Sequence, residues 1–363
     1  MPRTIKIPVS CNKDCGGGCP LVAHIKGNKI IKIGNNPAAP GTMTGCARGY
    51  KAHQVVYAED RITHPLIRTG ERGSGRFREA GWEEALDIIA EKLVTVKNRY
   101  GNESVLLLGG SGACRGALHN TELLPDRLLK LYGGYTRLSG SYSTRAVSFV
   151  QPYLFGYAPS GLDARTLLDS KLIILWGANI SVTRFGTELE NVITTVKRQG
   201  IPVVVIDPRR TKTVKRLGTW WIPIYPGTDG VLMCALLWIL LTESMIERKE
   251  VDRISHGFEG LEAYITGEED GIPKSPQWAS PLCGVSERDI RALAEVYGKT
   301  KPAALIPGLS IQRTIGGEEA MRLATALQVA TGNVGIKGGS SGGNMWNRLP
   351  EPYCPTIELD TPT

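Results

Sequence analysis

The sequence has no apolar run long enough to cross a bilayer. Its most apolar run, Val231 to Thr242, covers twelve residues, where a membrane-spanning helix needs ~20, and it is expected to form a buried core helix. There is no dense Lys/Arg block and no recognisable nucleic-acid module, so a net charge of +8 over 363 residues does not make nucleic acid an expected partner. Neither G-x-G-x-x-G nor a P-loop occurs, which argues against ordinary NAD or ATP binding. Met1 lies ten residues before the first cysteine, with no apolar leader and no twin arginine between them. As written, the protein is therefore expected in the cytoplasm; the alternative is an exported or membrane-associated protein whose leader is missing. What remains is an ordinary globular composition, 42% hydrophobic and 21% charged, long enough for two or three domains around large cores. The basic balance fits either a mildly basic surface or anionic, phosphate-bearing cofactors.

Eight cysteines are present, unevenly placed. Cys11, Cys15 and Cys19 follow C-x3-C-x3-C, and Cys46 follows Cys19 after 26 intervening residues, in Thr44-Gly-Cys-Ala-Arg-Gly49. Disulfides would suit a small secreted scaffold, which this chain is not. Structural zinc usually shows paired knuckles. Three close thiolates and one distant one, with Gly16, Gly17 and Gly18 free to bend the backbone around them, suit a [4Fe–4S] cluster best. Cys114, Cys234, Cys283 and Cys354 are scattered singly and are expected to be core or incidental residues, Cys234 clearly a packing residue inside the apolar run.

The fold class expected is α/β, with a small N-terminal β-rich cluster module followed by two Rossmann-like domains with mostly parallel sheets. Leu21–Ile25 and Lys29–Ile33 read as strands joined by a Gly27-Asn28 turn. Trp82–Tyr100 has helical spacing and stops at Gly101. Ser104–Leu108 reads as a strand, followed by a helix from about Ala117 to Tyr132. Lys171–Trp176, Ile201–Ile206, Trp220–Ile224 and Ala303–Pro307 read as further strands. The first of these leads through Gly177-Ala178-Asn179 into a helix ending near Gln199, and a Glu318–Thr331 helix follows the last. Strands alternating with helices argue for a parallel sheet covered on both faces. Ligands bind at the carboxyl ends of such strands. Five polar turns, four of them glycine-bearing, sit there: Gly109–Gly112, Gly177–Asn179, Asp207–Thr211, Pro226–Asp229 and Gly308–Gly317. Each alone could merely end a strand; together they suggest a nucleotide-type ligand, with aspartates for ribose or guanine and helix N-termini for pyrophosphate.

In these residues the chain resembles the molybdopterin oxidoreductases of the dimethyl sulfoxide reductase family, over essentially its whole length. The resemblance rests on C-x3-C-x3-C-x26-C, Trp82-Glu-Glu-Ala-Leu86, Trp176-Gly-Ala-Asn179, Ile206-Asp-Pro-Arg209, Pro226-Gly-Thr-Asp229, Gln312-Arg313 and Thr331-Gly-Asn-Val-Gly335. It is most similar to the N-terminal half of that family's anaerobic catalytic subunits, since members run to roughly twice this length. The resemblance implies a bis(molybdopterin guanine dinucleotide) cofactor carrying molybdenum, or tungsten, beside the [4Fe–4S] cluster. It implies cofactor contacts from Trp176, Gly177, Asn179, Asp207, Pro208, Arg209, Gly227, Thr228, Asp229, Gln312 and Arg313. It implies a cluster module over 1–60, the first part of an interrupted α/β domain over 61–150, an inserted cofactor-binding domain over 151–338, and the start of the return to the interrupted domain over 339–363.

The family places cysteine, selenocysteine, aspartate or serine on the metal. The matching loop here, Gly133 to Thr144, has no cysteine and no aspartate. Its Gly140-x-Tyr142-Ser143 is similar to the serine-ligated S- and N-oxide reductases, which implies Ser143 as the catalytic metal ligand, with Ser141, Ser139 and Thr144 as competitors. Arg48, where several relatives carry lysine, would link cluster and pterin. The implied activity is oxygen-atom transfer from a small-molecule S- or N-oxide, with electrons passed through the cluster. The implied partners are an iron–sulfur electron-transfer subunit and a membrane-anchor subunit. The alternatives are another enzyme of this cofactor, a dehydrogenase or a tungsten hydratase, and a non-catalytic iron–sulfur electron-transfer module.

Overall fold

A computed structural model describes residues 3–11, 13, 17–109, 122–138, 143–156, 161–184 and 186–343. Cys15, Ser139, Ser141, Tyr142, Cys114, Cys354 and the 344–363 segment lie outside the described residues. The chain divides into two compact units, one built on Met1–Ala39 and Gly45–Ser139, the other on Pro40–Thr44 and Gly140–Leu349.

In the first unit, β1 (Ile5–Ser10), β2 (Pro20–Lys26) and β3 (Lys29–Asn35) form an antiparallel sheet in that order. Gly27 and Asn28 make the expected hairpin turn between β2 and β3. β1 lies outside the strands expected above, although Ile5, Ile7 and Val9 alternate with Lys6, Pro8 and Ser10; its side chains are all exposed. Two short helices follow, α1 (Ala47–Tyr50) and α2 (Ala52–Val56), then an antiparallel pair of β4 (Leu66–Arg68) and β5 (Phe77–Glu79). The helix α3 runs Trp82–Tyr100 as expected and stops at Gly101, whose φ of +80° a residue with a side chain rarely adopts. The strand expected at Ser104–Leu108 is largely absent. A 3-10 turn takes Asn102–Ser104, tightened by the Ser104 hydroxyl donating to the Gly101 carbonyl (2.7 Å), and leaves only β6 (Leu106–Leu107) to pair in parallel with β7 (Thr136–Arg137). Between them lies α4 (Leu123–Tyr132).

The second unit is built on a four-stranded, wholly parallel sheet. It uses β8 (Leu172–Trp176), β9 (Val203–Ile206), β10 (Trp220–Ile222) and β11 (Ala303–Pro307), in the order β10-β9-β8-β11. Every residue of β8, β9 and β11 is buried, because successive side chains point to opposite faces and both faces are covered. Leu172, Ile174, Trp176, Val204 and Ile206 enter one core with α5 (Arg145–Phe155), α8 (Asp229–Thr242), α9 (Arg248–Ile254), α10 (Phe258–Thr266), α11 (Pro276–Cys283), α12 (Glu287–Lys299) and α13 (Gly317–Ala330). Ile173, Leu175, Val203, Val205 and Ile306 enter the other with α6 (Leu189–Arg198) and α7 (Lys212–Arg216). The apolar run is α8, the expected core helix. Cys234 on it packs in the core, where burial pushes its thiol up to about 12. The helix expected directly after Asn179 instead begins at Leu189, because the amides of Val182 and Thr183 fold back onto the Asn179 carbonyl. Among the described residues no helix is long and apolar enough to cross a membrane.

The short strap Pro40–Thr44 belongs to this second unit although its neighbours in sequence belong to the first. Asn191 of α6 donates to the Thr42 carbonyl (2.8 Å) and the Thr44 hydroxyl (2.7 Å), and the Thr42 hydroxyl donates to Glu188 (2.6 Å).

Replacing Ile174, wholly buried in the sheet, with Ala should cost about 2–5 kcal/mol. Leu282→Ala on the exposed side of α11 should stay within about 0.5 kcal/mol of the parent. Urea unfolding midpoints measure both.

Candidate functional site

In the first unit, Cys11 and Cys19 stand at the two ends of the β1–β2 connection, and the Cys11 amide donates to the Cys19 carbonyl (2.9 Å). The third cysteine reaches the same end of the sheet through Asn35. Asn35 pairs with Leu21 in the β2–β3 ladder, next to Cys19, and its side-chain oxygen accepts from the Gly45 amide (2.9 Å) and the Tyr50 hydroxyl (2.7 Å). Those two bonds pin Cys46, the N-cap of α1, and the helix behind it. The helix then lies against Cys11: a β-carbon on Gly49 would stand 3.3 Å from the Cys11 sulfur and 3.2 Å from Leu21. Nothing in the sequence singled out Asn35, which acts only through the register of the sheet. Beside the cysteines runs an open groove of about 410 Å³ lined by Lys13, Arg48, Lys51, Gln54, Val55 and Ala58. Arg48 is exposed there, with two lysines near it.

In the second unit, the turns at the carboxyl ends of β8, β9, β10 and β11 are joined to one another. The Gly308 amide donates to the Trp176 carbonyl (2.7 Å), and a β-carbon on Gly308 would overlap the Gly177 carbonyl oxygen. Gly177 has φ +61°, and its carbonyl accepts from the Ser310 hydroxyl (2.8 Å). Gly227, in the turn before α8, abuts Thr314. Asn179 is held by Thr213, whose hydroxyl donates to its side-chain oxygen (2.8 Å) while accepting from the Ser181 amide (3.0 Å). Thr213 is fully buried at the start of α7, and sequence reasoning missed it. Thr228 caps locally, donating to the Tyr225 carbonyl (2.7 Å). Pro208 and Arg209 are exposed on the rim.

Asp207 and Asp229 are both buried. Asp207 accepts from the Arg209 amide (2.9 Å), and Asp229 accepts from the Trp176 indole N–H (2.9 Å). Trp176 is thus fully buried, and what it holds is an acid of the rim. Burial holds both carboxyls above the usual carboxylate range, and for Asp229 the charge of Asp207 adds to the effect. Two such acids side by side suit a ligand edge that presents N–H or O–H donors.

Gln312 and Arg313 face the metal-ligand candidate. The Gln312 side-chain oxygen accepts from the Val147 amide (3.0 Å), its NH2 group donates to the Ser143 carbonyl, and Arg313 Nε donates to the same carbonyl (3.3 Å). Gln312 therefore spends its whole amide on the start of α5, and Ser143 is fixed just ahead of it. Thr144 is the N-cap of α5 and buried.

A family model described as molybdopterin oxidoreductase matches residues 61–353, and one described as molybdopterin oxidoreductase Fe4S4 domain matches residues 6–58. This chain belongs to the molybdopterin oxidoreductase family. It is 35% identical over 369 residues to the probable dimethyl sulfoxide reductase chain YnfF of Escherichia coli K12, covering 94% of this chain and 46% of that protein. It is 34% identical over 375 residues to dimethyl sulfoxide reductase DmsA of the same organism (96% and 46%), and 32% identical over 312 residues to the dimethyl sulfoxide/trimethylamine N-oxide reductase of Cereibacter sphaeroides (79% and 37%). The chain thus spans about half the length of the curated relatives it matches. The acetylene hydratase of Pelobacter acetylenicus shares the fold, with a TM-score of 0.71 at 23% identity over 91% of this chain and 44% of that one.

The residues present fit the groups that the family name implies. Cys11 and Cys19 stand at one end of the β-rich sheet, and the helix that Cys46 caps lies against Cys11; among the described residues no three side chains are closed into a metal site, and the fourth cysteine of the motif, Cys15, lies outside them. In the second unit, the buried hydroxyls of Ser181 and Thr187 have no hydrogen-bond partner among the described residues, and Asp229 is raised with no cation offsetting it, whereas the Arg209 charge partly offsets the burial of Asp207.

A carboxyl raised in the folded state binds its proton more tightly there. The cost of ionising it is absent below the unfolded-state pKa and sets in as pH rises through the folded one. Asp229→Asn keeps an oxygen for the Trp176 indole and should raise the melting temperature of the cofactor-free chain at pH 8 by about 2–4 °C, the shift that ~1 kcal/mol gives in a domain of this size. The gain should shrink toward pH 4, as read by differential scanning calorimetry.

Proposed function

We propose that this chain is the cluster- and cofactor-binding part of a molybdenum-dependent reductase that removes oxygen from a small S- or N-oxide of the dimethyl sulfoxide kind. The observation that carries the reading is the clamp on Ser143. Gln312 and Arg313, from the loop after β11, hold its carbonyl at the carboxyl-end rim where the turns of the parallel sheet meet. A residue that ligates a metal must be held within a fraction of an ångström, and a carbonyl gripped from two sides supplies that constraint.

When bound, the molybdopterin cofactor supplies the two-electron oxygen-atom chemistry. The chain's part is to hold and tune. Cys11, Cys15, Cys19 and Cys46 would hold the [4Fe–4S] cluster as thiolates. Arg48, two residues past Cys46, puts positive charge beside them, which favours the added electron on a reduced cluster. Asp207 and Asp229 would take the donor edges of a guanosine, with Asn179 and Gly177 beside its ribose and phosphates. Arg209 and Arg313 would take pyrophosphate. Gly227 and Thr228 open α8, whose N-terminus favours an anion. An iron–sulfur electron-donor subunit and a membrane-anchor subunit complete the proposal, since a relay cluster needs an external source of electrons.

Metal analysis and an oxide panel with a reduced dye as donor, run on the cofactor-loaded enzyme, test the reading. Molybdenum and iron together with oxide reduction support it; iron alone, or tungsten without reduction, overturns it. Ser143→Ala should keep the iron content and the EPR signal of the reduced cluster while turnover falls by more than roughly 100-fold. Cys46→Ala should instead lose iron. Wild-type turnover in Ser143→Ala would move the metal ligand elsewhere.

A further inference from the structure

Asn179 and Gln312 both carry a side-chain amide at the rim, and the fold uses the two differently. Gln312 commits both ends to the start of α5, accepting from Val147 and donating to the Ser143 carbonyl. Asn179 commits only its oxygen, to the Thr213 hydroxyl (2.8 Å). Its NH2 group donates to nothing among the described residues, and the side chain is only half-buried, within reach of a ligand.

Thr213 decides which end of the Asn179 amide is left uncommitted. It is wholly buried at the start of α7. A hydroxyl carries one proton and accepts at its lone pairs. The Ser181 amide can only donate, and it donates to this oxygen (3.0 Å). The acceptor for the Thr213 proton is the Asn179 side-chain oxygen, and a buried hydroxyl deprived of its acceptor is costly. Turning the amide over would set its NH2 group against the hydroxyl, strand that proton and leave an oxygen as the uncommitted end. The backbone of Asn179 is held as well, its carbonyl accepting from the Val182 and Thr183 amides (3.1 and 2.9 Å).

We propose that Thr213 is a positioning residue: it fixes the Asn179 amide so that the rim presents two N–H donors there, and those donors take a phosphate oxygen. The proposal rests on the rim being the nucleotide site of the preceding subsection. An ionised phosphate oxygen only accepts, so it gains from this orientation and is repelled by the reverse one. A ribose hydroxyl both donates and accepts and would be served by either. The fixed orientation therefore matters to the anion.

Isothermal titration of the whole chain with GDP, and with guanosine as the control, tests the role. Thr213→Val keeps the shape and removes the hydroxyl. It should weaken GDP by roughly 10-fold, the worth of a hydrogen bond to a charged group, and leave guanosine unchanged. Thr213→Ser keeps the hydroxyl and should restore GDP binding. In an Asn179→Ala background Thr213→Val should cost nothing further, because a residue acting through Asn179 has nothing left to act on. Asn179→Asp keeps the oxygen that Thr213 holds and replaces the donors with a second oxygen, so it should also lose GDP but not guanosine; this arm stands even if Thr213→Val folds poorly. Unchanged GDP affinity in Thr213→Val or Asn179→Asp, or a further loss in the Asn179→Ala background, overturns the proposal while leaving the nucleotide site intact. An equal loss for guanosine moves the contact to the ribose and overturns the phosphate assignment. No GDP binding by the parent chain overturns the nucleotide site itself, and the role of Thr213 falls with it.

Discussion

At the carboxyl ends of β8 and β11 a β-carbon on Gly308 would overlap the Gly177 backbone, and one on Gly177 would run into the Ser310 and Ile311 side chains. The rest of the rim depends on that meeting. The Gly308 amide is tied to Trp176 and the Ser310 hydroxyl to Gly177, so the loop after β11 starts from a fixed point. From there the loop reaches the Ser143 carbonyl through Gln312 and Arg313, and it meets the Gly227 turn through Thr314. A rigid loop joining three turns is the kind of support a preorganised site requires. The hydrophobic faces of the parallel sheet fix where that loop begins, so burial in the two cores and geometry at the rim are one constraint.

Two acids carry the buried charge of the rim. Asp207 and Asp229 are buried together, and each is satisfied only in part, by a backbone amide and an indole N–H. Burying carboxylates without a cation costs stability. The protein keeps that cost at the carboxyl ends of β8, β9 and β10, and the hydroxyls of Ser181 and Thr187, which follow β8's turn in the chain, are buried without a hydrogen-bond partner among the described residues. Sites that bind rather than merely pack tolerate this kind of local disadvantage.

Much of this was legible in the residues, and the reasons for the failures are physical. The buried strands β8, β9 and β11 are short apolar runs ended by turn residues, the signal that survives any context. The helix α3 announces both its period and its stop at Gly101. β1 was missed although Ile5, Ile7 and Val9 alternate with Lys6, Pro8 and Ser10, the period of a strand; the run is short, holds a proline and is exposed throughout. The Ser104–Leu108 strand failed because a local hydroxyl-to-carbonyl bond captured its first residues, a competition that propensity does not register. The four cysteines and the rim motifs were readable as candidates. The clamps behind them, Asn35 on the Cys46 segment and Thr213 on Asn179, were not. They act across the fold, through strand register and a buried hydroxyl, and no spacing in the chain encodes such a partner.

The strap Pro40–Thr44 ends two residues before Cys46, and its hydrogen-bond partners are Glu188 and Asn191. Their separations along the chain are 146, 149 and 147 residues. During synthesis all four cysteines of the motif therefore leave the ribosome long before anything exists for Thr42 and Thr44 to bond to. The segment leading into the last thiol takes its final shape only after β8 and α6 have been made. Folding of the β-rich module and fastening of the strap are separate events in time, and the later one waits on the parallel sheet.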